Sequence, residues 1–318
     1  VQLGSFRFIF AFATKIIIEA VTVHAVIWLG NDASAWRTIA IVYAILGLIT
    51  NTISVFSVKE LPEADEGMEE EREEEHKLTF LKSFLLLLKN KYYVVICITY
   101  IMTQLYASVI GIGTYYAKYI LGNEELFSSL SLAINITMVV SLIALPIVIQ
   151  KMGGMYKLNM LGYLVAVAGR IGVVAAAYMG SFPMMLVFTA VGTLGIAPLQ
   201  GDMNALIASC SEYTTLTTGH RLDGMMFSCS SLGIKIGGAF GTAICGWLLD
   251  AAGYIENAAT QTAGTVSMLQ FLYLWAPIII CGVILFLISR LKVEQANAQL
   301  LRVKNMTEDD VDTVYGNV

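Results

Sequence analysis

An all-α membrane protein is the fold class the sequence predicts, and three observations predict it. The chain of 318 residues is 57% hydrophobic and 14% charged, whereas about a quarter of an ordinary soluble domain is charged. Mean hydropathy is +0.72. The apolar runs exceed the roughly 20 residues that cross a bilayer as a helix, and the alternating pattern of a membrane β-barrel is absent.

Eight spans are expected. The first runs from Phe6 to Leu29 and the second from Trp36 to Val58. The block ELPEADEGMEEEREEEHK that follows is too charged to insert and divides the chain. The third span covers Tyr92 to Leu121, the fourth Leu126 to Gln150, the fifth Leu158 to Met179 and the sixth Pro183 to Ala208. The seventh lies within Arg221 to Tyr254, RLDGMMFSCSSLGIKIGGAFGTAICGWLLDAAGY, and the eighth covers Val266 to Ile288. A polar tail, Lys292 to Val318, closes the chain. The first residue is Val1, and the first apolar run is too long and too charged for a signal peptide, so the chain is expected to continue a longer protein.

Lys and Arg accumulate on the cytoplasmic side of membrane proteins. The acidic block and its flanks hold Lys59, Arg72, Lys77, Lys82, Lys89 and Lys91, and the same side of an alternating trace holds Lys151, Lys157, Arg221, Arg290, Lys292, Arg302 and Lys304. The opposite side holds only Arg37 and Lys118. The block, the turns near Lys151 and Thr217, and the carboxyl terminus are therefore expected in the cytoplasm. Halves of six helices joined by a long cytoplasmic loop are the plan of major facilitator transporters. On that plan residues 1–59 are the last two helices of an amino-terminal half, 60–91 the acidic inter-half loop, 92–290 the six-helix carboxyl-terminal half and 291–318 a cytoplasmic tail.

The seventh span carries one lysine, Lys235, near its middle. A charge at that depth costs roughly 2.5–3.5 kcal/mol, so it is expected to face a watery cavity or a partner. At 100° per residue, Gly224, Ser228, Ser231, Lys235, Thr242 and Gly246 share one stripe, while Gly233, Gly237 and Gly241 form an opposite stripe that lets another backbone approach. In the sixth span Gln200, Asp202 and Asn204 replace the apolar residues of a lipid-facing helix. Asp202 is left between a pairing with Lys235 and a contact with Arg221. Arg170 in the fifth span is buried by position without an evident partner. Lys15 and Glu19, four residues apart in the first span, are either a mutually satisfied pair or a proton-responsive pair on a cavity. Arg7 lies near the cytoplasmic end of that span. Thr99, Thr103, Gln104 and Ser108 share a face of the third span, and Tyr115, Tyr116 and Tyr119 are expected as interface anchors.

Some classes are excluded. Cys97, Cys210, Cys229, Cys245 and Cys281 have neither metal nor disulfide spacing. The net charge of −5 comes largely from the acidic block, and no basic patch supports nucleic-acid binding. No nucleophile–base set, phosphate loop or dinucleotide fingerprint points to an enzyme.

The segment SEYTTLTTGHRLDGMMFSCSSLGIKIGGAFGTAICGWLLDAAGY resembles the region around helices ten and eleven of the glycoside-pentoside-hexuronide:cation symporters, the group of the melibiose carrier. The family's DYGE-like element appears as Glu212-Tyr213. Its G-x-R-x-E-G appears as Gly219-His220-Arg221-Leu222-Asp223-Gly224, and its serine-rich turn and lysine as Ser228 to Lys235. The family usually has Ala-Asp where Ala208-Ser209 stand here, its cation-binding aspartates lie on helices two and four, ahead of this chain's spans, and Lys15 and Glu19 fall outside its pattern.

The resemblance implies symport of a sugar, glycoside or hexuronide with Na⁺ or H⁺ by alternating access. It implies a monomer in the lipid bilayer of a bacterial inner membrane, with no cofactor beyond the coupling cation. Together with the polar positions above, it assigns substrate and coupling roles to Lys235, Ser231, Ser228, Arg7, Gln200 and Asp202. It assigns a cytoplasmic gate to Arg221, Asp223 and Glu212. Rival expectations are transport of a non-sugar solute such as a lysolipid, and a non-transporting sensor or truncated remnant.

Overall fold

The computed structural model describes residues 2–30, 32–57, 80–220, 222–256, 258 and 260–304. Among these residues every regular element is a helix: α1 (Gln2–Trp28), α2 (Ala33–Ser57), α3 (Phe80–Lys89), α4 (Lys91–Gly111), α5 (Glu125–Met152), α6 (Met155–Tyr178), α7 (Phe182–Thr218), α8 (Asp223–Ala251), α9 (Ala263–Gln270), α10 (Ala276–Arg290) and α11 (Val293–Lys304). A short turn and a π-turn extend α4 to Leu121, and a second π-turn joins α9 to α10. Seven stretches are long and apolar enough to cross a membrane. The 27-residue α1 coincides with the first expected span, and at 1.5 Å per residue it too is long enough. The chain is a multi-pass helical membrane protein. The acidic block lies outside the described residues.

Two segments differ from expectation. The helix of the sixth span does not stop at Ala208 but runs on to Thr218, because its polar end is packed rather than solvated. Asn90 caps α4 with its carbonyl, accepting from Tyr92 and Tyr93, and its amide donates to Cys210 O at 2.9 Å and Thr214 Oγ1 at 2.8 Å. The polar tail begins with a docked helix, α11, whose buried Asn297 donates to Ser209 O at 2.8 Å and to Glu212 Oε2 at 3.0 Å. Glu294 of α11 accepts from the first free N–H groups of α6, at Met155 and Tyr156, the terminus where a carboxylate is favoured. At the α1–α2 turn Asp32 accepts from Ala35 N and Ser34 Oγ, and these bonds hold its carboxyl below its ordinary range.

The packing order places the site. Helix α7 lies between α5 and α6, α6 packs on α10, α10 on α4, and α4 on α8, while α1 leans on α5. The tightest seam joins α6 to α7. A Cβ added at Gly195 would stand 2.2 Å from Gly162 O, and one at Gly169 would stand 2.4 Å from Gly192 N. Any side chain there would have to force the helices apart, an overpacking cost of about 1–3 kcal/mol. The expected glycine stripe on α8 is used in part: Gly237 and Gly241 press on Ile101 and Ser108 of α4, but Gly233 meets nothing within 4 Å. Of the three tyrosines expected at the interface, Tyr116 is instead a core residue, 3% exposed and stacked on Tyr273 at 4.6 Å. Tyr115 and Tyr119 pack edge-on against Tyr254, so the cluster closes the end of α4 and α8 more than it anchors a surface.

Candidate functional site

A cavity of about 350 Å³ opens between α1, α4, α5, α6 and α7. Helical periodicity builds its walls. Tyr163 and Arg170 of α6 are seven residues apart on one face, as are Thr193 and Gln200 of α7. Helix α4 contributes Thr103, Gln104 and Tyr106, α5 contributes Phe127 and Asn135, and α1 contributes Phe12 and Lys15. The site lies within the membrane span: Arg170 is about 12 Å from the Tyr178 end of α6 at 1.5 Å per residue. Amides, hydroxyls and flat aromatic rings around one cavity suit a polyol with an apolar ring face, since the polar groups fix hydroxyls and the rings cover C–H surface.

Two cations line this cavity, and among the described residues that line it none is Asp or Glu. Lys15 Nζ donates to Asn135 Oδ1 at 3.4 Å. Arg170 is 2% exposed, donates from Nη2 to Tyr106 Oη, and stands 5.1 Å from the centre of the Tyr106 ring. Its Nε and Nη1 have no hydrogen-bond partner among the described residues. The partner that position alone did not reveal is thus a tyrosine. The sequence signal was present in Arg170 itself, a charge inside an apolar span, but it could not name Tyr106, 64 residues away.

One turn from Tyr163 lies a second polar cluster. Asp202 is fully buried and accepts from Asn159 Nδ2 at 2.7 Å. Among the described residues Asp202 Oδ1 and Asn159 Oδ1 have no partner, and both lie in the α6–α7 seam. Asp202 is therefore not paired with Lys235. Gln200, two residues before it on α7, faces the cavity.

Lys235 lies outside this cavity. It is exposed on α8, as are Ser228 and Ser231, and both serines spend their hydroxyls on carbonyls of their own helix. Thr242 and Gly246 of the same stripe line a crevice of about 550 Å³ against Gln104 and Ser108 of α4. Gln104 belongs to both spaces and so links the stripe to the cavity. Of the expected gate, Glu212 and Asp223 line one crevice with Ser211 and Thr215. Arg221, and the side chains of Arg7 and Glu19, lie outside the described residues. Among the described residues no group of three His, Cys, Asp or Glu could hold a metal ion.

Comparison with known proteins bears on this geometry. A family model described as MFS/sugar transport protein matches residues 1–295. The chain is 24% identical over 291 residues to the isoprimeverose transporter of Lactiplantibacillus pentosus, covering 90% of this chain and 58% of that protein. It is 30% identical over 145 residues to a glucuronide carrier protein homolog of Escherichia coli, covering 45% of this chain and 31% of that protein. It is 27% identical over 104 residues to a putative glycoside/cation symporter of the same organism, covering 33% of this chain and 22% of that protein.

Proposed function

The chain belongs to the MFS/sugar transport protein family, a family of transporters rather than enzymes, and from that premise we propose that it takes part in cation-coupled symport of a sugar, glycoside or hexuronide. It spans 58% of the length of the isoprimeverose transporter, so the activity proposed is that of the whole protein. The observation that carries the reading is the cavity at membrane depth, where Gln104, Asn135, Thr193 and Gln200 offer amides and hydroxyls beside Tyr106, Tyr163 and Phe127.

In this reading the two halves divide at the acidic block and rock about the cavity in alternating access. The block, the Glu212–Asp223 crevice and α11 face the cytoplasm, where Arg221 helps the gate close. The protein sits in the inner membrane as a monomer. Gln200 binds substrate hydroxyls from the cavity wall, and Arg7 donates to substrate or to a carboxylate of a neighbouring helix. Asp202 is the coupling carboxylate of this half. An ionised carboxylate buried with one oxygen unmet is costly, and a proton on it removes the charge. Among the described residues the pair presents two oxygens without a partner, whereas hard cations collect about six, so the proton fits this pair better than Na⁺ does. Ser228, Ser231 and Lys235 line the groove between halves, where the ammonium answers to the charge of a carboxylate brought by the other half.

Uptake by membrane vesicles carrying the full-length protein tests the reading. Glycosides should compete for the transported solute and lysolipids should not. Competition by lysolipids alone would transfer the same architecture to a different cargo and sink the sugar reading.

A further inference from the structure

At the end of the bundle away from the Glu212–Asp223 crevice, a further cavity of about 350 Å³ is lined by Tyr115, Lys118, Tyr119, Tyr254 and Glu256. The extension of α4 supplies the first three and the turn after α8 the other two. The rings of Tyr115 and Tyr119 stand edge-on to that of Tyr254, with centres 5.6 and 6.2 Å away. A tyrosine that only anchors a bundle in the interface needs no such neighbours. Cations are common guests of an aromatic cage, but here that place is taken, because Lys118 Nζ lies 5.6 Å from the centre of the Tyr119 ring. The ammonium is itself paired with Glu124 at 2.8 Å, and Glu256 brings a negative charge to the same walls. Among the described residues the walls therefore carry both signs and favour no ion. They offer ring faces for C–H surface and polar ends for hydroxyl partners, the two surfaces that a sugar ring presents.

The cavity also lies on a route. Tyr115 lines both it and the crevice of about 550 Å³ between α4 and α8, and Gln104, Ala107 and Gly111 line both that crevice and the central cavity. Gly111 and Tyr115 follow Gln104 by seven and eleven residues, which keeps all three on one helical face. The three spaces thus adjoin in order along α4 and its extension. Eleven residues set Tyr115 about 16 Å beyond Gln104, farther than one sugar ring can bridge. On this geometry we propose that the tyrosine cage is a second, outer sugar site, where a neutral glycoside docks before it passes along the α4–α8 crevice to the central cavity. The inference rests on the sugar-transport reading and adds to it a site and an order of occupation. Tyr254 is the centre of the cage, since both other rings meet it, and Lys118 and Glu256 bond hydroxyls at its rim. With Tyr115 and Glu256 exposed, the cage holds its guest more weakly than the deeper cavity does, so the solute can move on.

The full-length protein in lipid nanodiscs tests this with Tyr254→Trp as a reporter and 4-nitrophenyl glucoside, galactoside and xyloside as probes. At least one probe should quench the emission added by the substitution, with half-saturation about tenfold or more above that of the central site. The methyl glycoside of the same sugar should displace it, because the sugar ring and not the aglycone is held. Adding Gln200→Leu should leave that half-saturation within about twofold, as expected of distant sites. Tyr115→Ala should raise it about fivefold through the loss of one ring contact. In the unaltered protein, equilibrium dialysis of the labelled probe should saturate at two molecules per chain, a readout that needs no variant to fold. Saturation at one molecule per chain would overturn the outer site and leave sugar transport standing. So would a reporter that shifts with Gln200→Leu, or displacement by choline or 4-nitrophenol instead of methyl glycosides. Binding of no probe at all would overturn both.

Discussion

Asp202→Asn should abolish gradient-driven accumulation of the transported sugar and leave downhill exchange working. The carboxylate is fully buried, and its Oδ2 is held at 2.7 Å by Asn159. Asparagine has the same shape and can still accept that bond, so the α6–α7 seam with its close glycines stays closed. What it cannot do is take up and release a proton at Oδ1. Counterflow of labelled sugar across proteoliposomes loaded with unlabelled sugar should therefore persist within roughly fivefold of the original rate, the equivalent of about 1 kcal/mol. Accumulation driven by an imposed pH gradient should fall to the equilibrium level. If the variant still concentrated sugar against its gradient in response to ΔpH, Asp202 would have no part in coupling.

Lys235→Ala is expected to cost more than tenfold in the rate of coupled uptake and nothing in folding. Removing the ammonium relieves an insertion cost of roughly 2.5–3.5 kcal/mol, so the membrane level of the variant should equal or exceed that of the parent. The packing of α8 is untouched, because Gly237 and Gly241 meet α4 on the opposite face. A drop in uptake would then report on the charge itself. Lys235→Arg should restore part of the rate by restoring the charge. Initial rates measured with and without a cation gradient, normalised to protein in the membrane, check this; coupled uptake at the parental rate would leave Lys235 without a role in transport.

The helices were legible because hydropathy counts consecutive residues, and a span of 20 or more apolar residues has few alternatives. The end of α7 was not. Ser209 to Thr218 read as a polar connection, and it stays helical because Asn90 and Asn297, 124 and 88 residues away in sequence, supply its partners. The α8 stripe was readable from a four-residue repeat. The α6–α7 seam was missed because its glycines are seven residues apart in α6 and three apart in α7, a spacing that has meaning only when the two helices face each other.

The same distinction holds at the candidate site. Arg170, Gln200, Asp202 and Lys235 each stood out alone, as polar groups in apolar runs. Their grouping did not: Asp202 found Asn159 rather than Lys235, and Arg170 found Tyr106. Lys15 reaches across to Asn135 of α5, while the side chain of Glu19, with which it was expected to pair, lies outside the described residues. Cost of burial is a property of one residue and can be read from the chain, whereas the choice of partner is a property of packing.

Equilibrium binding of a glycoside to the full-length protein and to its Gln200→Leu variant tests the central claim most directly. Gln200 is partly buried on the cavity wall, and leucine preserves its size while removing its amide. The account predicts a fall in affinity of about tenfold, the worth of one hydrogen bond and one polar group left unmatched, with the helix and the thermal transition unchanged. An affinity equal to that of the parent would mean that the sugar sits elsewhere, and that the cavity between α1 and α4–α7 is not its site.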